Sequence, residues 1–190
     1  MILSHNYYYA RPGNEDAVLK QRLHASDVRT RIGLERGRVL KKISGADDFP
    51  DVLWELGFPD MAAQDADMAA RAASADFEAV RVDMRQLYRR FERPLFEPIW
   101  RQDGAAGVQY PRVTFEWVTS GETGDTVEQL EQAAAAHCRA TGGSAAVLQR
   151  LTEEDALPLL VLEMRGATGG TQALGRHGIR SLRGEFSAQD

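Results

Sequence analysis

A single cysteine, Cys138, is all the thiol chemistry available to this 190-residue chain. That excludes an internal disulfide and a multi-cysteine metal site. Its place in the alanine-rich stretch 133–140 reads as a small packed side chain, with His137 the one base beside it. Histidine is scarce as well: His5, His24, His137 and His177 form no HxH, HxxxH or HExxH spacing, so no metal site is expected. No apolar run approaches the about 18 residues of a membrane span. The opening Met1-Ile2-Leu3-Ser4-His5-Asn6-Tyr7 lacks the basic and then apolar pattern of a signal peptide, so the expected location is cytoplasmic, without a membrane partner. Basic charge is in deficit, with a net charge of -5 and a pI near 5.4. A nucleic-acid partner is therefore not expected, since it would need a basic face that releases phosphate counterions. Arg85, Arg89, Arg90 and Arg93 do cluster, but interleaved with Asp83 and Glu92 they read as a salt-bridged helix face. Ser120, Ser144 and Ser181 have no Gly-x-Ser-x-Gly context, and the glycines at 166, 169, 170, 175 and 178 spell no phosphate loop.

What the chain does have is an internal repeat. Shifted by 108 positions it aligns with itself without a gap from its opening through Leu56, which meets Met164. Val39-Leu40-Lys41-Lys42-Ile43-Ser44 falls on Val147-Leu148-Gln149-Arg150-Leu151-Thr152, Tyr7 on Phe115, and Glu55 on Glu163. A period of this length is that of a duplicated domain.

The first copy reads as a strand over 2–10, stopped by Arg11-Pro12-Gly13, then a helix from Glu15 to about Ile32. Val18, Ala25, Val28 and Ile32, widened by Leu19 and Leu23, give that helix its apolar stripe. Residues 38–44 and 51–58 read as an antiparallel hairpin. A helical region to about Arg90 follows, broken near Ser74, which can cap a second segment bearing Phe77, Val80, Met84, Leu87 and Tyr88. Residues 93–100 are extended, with two prolines that favour an edge. The second copy repeats the pattern with strands at 112–119, 144–152, 158–165 and 180–187 and a helix at 125–140. Its second helical region is squeezed between Gly166 and Gly178, where the glycines allow a turn or two at most.

Beta-alpha-beta-beta-alpha-beta is the order of a ferredoxin-like unit. The expected fold class is therefore α+β: two such units in tandem, their antiparallel sheets packed as an intramolecular α/β barrel, the second with a shortened second helix. The expected boundaries are 1–100 for the first unit, 101–111 for a linker, and 112–190 for a second, degenerate unit. The chain is expected to be a monomeric pseudo-dimer or a homodimer. One functional site is expected, mainly within the first hundred residues.

Candidate site residues follow from strand alternation. Leu3, His5, Tyr7 and Tyr9 share one face of the first strand and Ser4, Asn6 and Tyr8 the other, while Trp54 and Glu55 take opposite faces of the third. His5 or Glu55 offers a proton acceptor, and Tyr7 and Tyr9 offer phenolic donors, the minimum for deprotonating an aromatic or enolisable substrate. His5 and Glu55 are thus the catalytic candidates, and Tyr7, Tyr9 and Trp54 the ligand-binding ones. The alternative for the same residues is packing and a cross-strand pair, and the recurrence of Glu55 as Glu163 favours a structural charge.

Tyr7-Tyr8-Tyr9-Ala10-Arg11-Pro12-Gly13 before a helix, and Asp51-Val52-Leu53-Trp54-Glu55-Leu56-Gly57-Phe58-Pro59-Asp60 before alanine-rich helices containing Ser74-Ala75-Asp76-Phe77, resemble the dimeric α/β-barrel superfamily. The likeness is to its NIPSNAP-like branch and to the antibiotic-biosynthesis monooxygenases. It implies a cofactor-independent protein that binds or converts a small aromatic or enolisable molecule, with no cofactor expected. Haem is the alternative cofactor, with His177 as its candidate axial ligand. A non-catalytic structural or interaction module is the other reading, and it requires an interior packed shut.

Overall fold

The computed structural model describes residues 1–105, 108, 110–120, 123–151, 160–166 and 180–189. It divides into two compact units, one of Met1–Lys41 with Phe49–Leu95 and Gln189–Asp190, the other of Lys42–Asp48 with Phe96–Ala188.

In the first unit, β1 (Ile2–Ala10) leads into α1 (Glu15–Arg31), then β2 (Arg38–Gly45), β3 (Val52–Phe58), α2 (Met61–Ala72), α3 (Ala75–Arg85) and β4 (Tyr88–Glu92). Helix α1 places Glu15 and Asp16 in its first turn and Arg29 and Arg31 in its last, matching the helix dipole. Ser74 caps α3 by accepting the amide of Phe77, as the sequence predicts, and Asp60 accepts the amide of Ala63 at the start of α2. The strands pair antiparallel in the order β2-β3-β1-β4. The helix-side core gathers Tyr8, Val18, Val39, Val52, Trp54 and Met84.

The expected helix to Arg90 does not form. It ends at Arg85, and Tyr88–Glu92 is the strand β4 paired with β1. Tyr88 and Phe91 pack beside Tyr8, and an aromatic-rich segment fits a half-buried pleated surface at least as well as a helix face. Arg89 and Arg90 therefore lie on a strand, where Arg90 pairs with Glu92, and not on a charged helix face.

In the second unit, β6 (Arg112–Ser120), α4 (Thr123–Thr141), β7 (Ser144–Arg150), β8 (Leu160–Gly166) and β9 (Arg180–Gln189) are joined by β5 (Leu95–Gln102). Their pairings give the antiparallel order β9-β6-β8-β7-β5, with a bulge between Pro98 and Trp100 that accommodates the proline. Both units thus carry a four-stranded ferredoxin-like order, 4-1-3-2 in terms of each copy, and the α+β class holds. The expected shortened second helix, at 167–179, lies outside the described residues. Among the described residues, no helix is long and apolar enough to cross a membrane.

The two copies differ in one register. His5 faces Glu55 across β1 and β3, whereas Glu163 on β8 faces Phe115, so pairing matches His5 to Phe115 and not to the Val113 of the gapless alignment. The helices keep the 108-residue shift: Val18, Arg22, Ser26 and Arg29 are buried on α1, as are Thr126, Leu130, Ala134 and His137 on α4.

Candidate functional site

The alternation of β1 sorts the predicted residues onto two faces. His5 and Tyr7 lie together, with Nδ1 of His5 3.1 Å from the Tyr7 hydroxyl. Glu55 is 3.9 Å from His5 Nε2 and 3.7 Å from Arg38 Nη1, an ion-pair spacing and not a hydrogen bond. Tyr9, on the same face, donates to Glu92 at 3.1 Å and lies 4.3 Å beneath the Arg90 guanidinium. His5, Tyr7 and Glu55 are all buried. The structure does not bring Trp54 to them. It sits on the helix side, where its indole donates to the Arg36 carbonyl at 3.0 Å and carries the guanidiniums of Arg22 and Arg29 at 5.0 and 4.8 Å.

That helix side holds an open cavity of about 240 Å³ between β1 and β4 on one side and α1, α2 and α3 on the other. Phe77, Tyr8, Tyr88 and Phe91 present aromatic rings to it, and Ala25, Val80 and Met84 add aliphatic surface. Its polar lining comes from Asn6 and five arginines, Arg22, Arg71, Arg81, Arg85 and Arg93. Neither His5 nor Glu55 lines it.

Composition alone gives no hint of this concentration of positive charge. Arg22 and Arg29 follow Val18 and Ala25 by four residues each, so the helical period buries them in the apolar stripe of α1. Arg29 is neutralised by Asp67 of α2, donating from Nη2 at 2.5 Å and Nη1 at 3.2 Å. Arg71 shares the same carboxylate, its Nε 2.8 Å from Asp67, and stacks on Phe77 at 5.6 Å. Burial pushes the Arg71 pKa down to about 10, with repulsion from Arg93 and Arg29 working the same way against the attraction of Asp67. Arg93 donates to the Asn6 side-chain oxygen at 3.2 Å.

Arg22 is placed differently. It is 3% exposed and donates from Nη2 to the Ser26 hydroxyl at 3.1 Å, while its Nε has no hydrogen-bond partner. Burial lowers its pKa, the Tyr8 hydroxyl opposes that shift, and the charges of Arg29 and Arg93 reinforce it. An ionised group out of water is costly unless a counter-charge accompanies it.

Among the described residues of α4, Leu130 and Ala134 stand at the positions of Arg22 and Ser26 and pack with Cys138, Val147, Leu162 and Met164 in an apolar cluster. Cys138 is buried there, as the sequence predicts, and burial pushes its thiol pKa up.

No family profile and no curated protein matches the sequence. Solved structures do. An anthrone oxidase-like protein shares 11% identity with a TM-score of 0.66, covering 100% of this chain and 91% of that one. A proposed monooxygenase of Fusobacterium nucleatum subsp. nucleatum shares 9% identity with a TM-score of 0.66, over 100% and 92% of the two chains. The chain has the dimeric α/β-barrel fold. A proposed chlorite dismutase is similar over 100% of this chain and 94% of its own, at 12% identity and a TM-score of 0.54. At these identities the dimeric α/β-barrel likeness is one of fold, which does not fix a reaction.

Proposed function

We propose that the first unit is a small-molecule site of monooxygenase-like type, taking a single-ring aromatic or enolisable molecule into the cavity between its sheet and helices. The observation that carries this reading is the set of four aromatic rings and polar tips around about 240 Å³ of open space. An apolar cavity of about 150 Å³ accepts one benzene ring. The space here therefore suits at least one ring with its substituents. A non-catalytic assembly module would have no need of such an opening.

Oxygenation without a cofactor needs a substrate that supplies its own electrons. A benzylic or enolisable methylene meets that condition. Its carbon gives up both hydrogens and takes one atom of dioxygen as a carbonyl, and the other oxygen atom leaves with those two hydrogens as water. Both protons and all four electrons thus come from substrate carbon. The protein's task is to stabilise the anion formed when the first proton leaves. His5 and Glu55, as the catalytic candidates, would have to act through the sheet, because they do not line the cavity. Haem is disfavoured here by size, and the lining offers as axial donors the phenols of Tyr8 and Tyr88 and the Met84 thioether, with no histidine. His177 lies outside the described residues.

Oxygen uptake with phenylpyruvate, a one-ring enolisable probe, tests the reading. Uptake by the protein that is lost in Val80→Trp, which fills the cavity, is the expected result. Binding of phenylpyruvate without uptake would reduce the site to a carrier, and neither binding nor uptake would contradict it.

A further inference from the structure

We infer that the cavity of the first unit takes its ligand as an organic oxyanion, a phenolate, enolate or carboxylate seated against Arg22. This rests on the small-molecule reading above and names the chemical class of the ligand.

The argument is one of charge and burial. Four guanidiniums gather here, Arg22 and Arg29 of α1, Arg71 of α2 and Arg93 after β4, and the charges of Arg29 and Arg93 bear on both Arg22 and Arg71. Asp67 lies among them and is taken by Arg29 and Arg71. Arg81 and Arg85 at the cavity's α3 edge share Glu78, at 3.0 and 3.8 Å. Arg22 is left with a serine hydroxyl, the Tyr8 hydroxyl, the Trp54 ring and an Nε without a partner, and it lines the open space. An arginine buried this deeply in a monomeric core is normally matched by a carboxylate. The missing counter-charge is the ligand's.

The aromatic surround fixes the rest of the class. Tyr8, Tyr88 and Phe91 form a continuous patch, with ring centroids 5.0 to 6.1 Å apart, able to pack one flat ring whose oxygen reaches Arg22. An inorganic anion would leave that patch uncovered, and a neutral aromatic would leave Arg22 uncompensated. Leu130 in the second unit marks the contrast: where α4 needs only packing, the same helical position is apolar.

The test uses 4-nitrophenol, whose phenolate is coloured, and its neutral methyl ether, 4-nitroanisole. With the whole protein in excess, the apparent pKa of 4-nitrophenol should fall by at least one unit, meaning at least tenfold tighter binding of phenolate than of phenol. Arg22→Met should abolish that fall while still binding 4-nitroanisole, and Arg22→Lys should restore part of it. Circular dichroism on each variant confirms that it is folded. If both probes bind and the pKa of 4-nitrophenol is unchanged or raised, the cavity stands and the oxyanion assignment falls. If neither probe binds, both readings fall together.

Discussion

Arg22 and Asp67 make opposite contributions to stability, although both are buried polar residues of one neighbourhood. Asp67 holds two buried guanidiniums, so Asp67→Asn leaves Arg29 and Arg71 without their counter-charge and should destabilise the protein by about 3–5 kcal/mol. Arg22 has no carboxylate to orphan, and a buried charge replaced by an apolar side chain of similar volume is often neutral or stabilising. Arg22→Met is therefore expected to leave the urea midpoint unchanged or raise it, although it removes the ligand's anchor. A midpoint that falls as far as that of Asp67→Asn would place Arg22 in the structural network instead. For His5 and Glu55 the geometry predicts another pattern. Both are buried on the sheet face away from the cavity, His5 on β1 and Glu55 on β3, so Glu55→Gln should lower the melting temperature and leave 4-nitrophenol binding unaltered. Lost turnover at an unchanged melting temperature would return them to the catalytic role that the strand alternation suggests.

At the scale of elements, the site depends on how the loop before β2 seats Trp54. Gly37 adopts a φ of 69°, in the left-handed region, and a Cβ there would run into the Trp54 indole. Gly37→Ala should destabilise the unit by more than the about 1 kcal/mol of an ordinary glycine effect and also weaken oxyanion binding, because Arg22 stacks on that indole. Equilibrium unfolding together with the 4-nitrophenol titration reads both effects. The same elements show what was legible in the sequence. The first strand, α1, the β2–β3 hairpin and the Ser74 cap follow from periodicity and local chemistry, and they appear within a residue or two of expectation. Strand β4 did not, because Leu87, Tyr88 and Phe91 satisfy a helical stripe as readily as an aromatic strand, and only pairing with β1 decides. The cavity's arginines were hidden for a different reason. A period locates a buried face but treats arginine as polar surface, and whether a buried arginine meets a carboxylate depends on α2, which is distant in sequence. Seven-residue spacing of Arg22 and Arg29 inside the apolar stripe was the available signal.

At the scale of the whole chain, the internal repeat foretells two units of one topology, and it also shows where they part. The gapless shift describes α4 against α1 but is two residues out for β6 against β1, since a strand slip of two keeps every side chain on its face and costs the hydrophobic pattern nothing. Tyr7 and Phe115 are therefore matched in the sequence and not in the sheet. The chemical divergence lies on the helices, where Arg22 and Ser26 give way to Leu130 and Ala134. The proposed ligand is therefore assigned to the first copy of the fold. The direct measurement is a nuclear magnetic resonance titration of the labelled protein with 4-nitrophenolate. The account predicts saturation at one equivalent, with shift changes at Tyr8, Ala25, Phe77, Met84 and Tyr88 and none at Leu130, Ala134 or Leu162; changes centred on α4, or two equivalents bound, would contradict it.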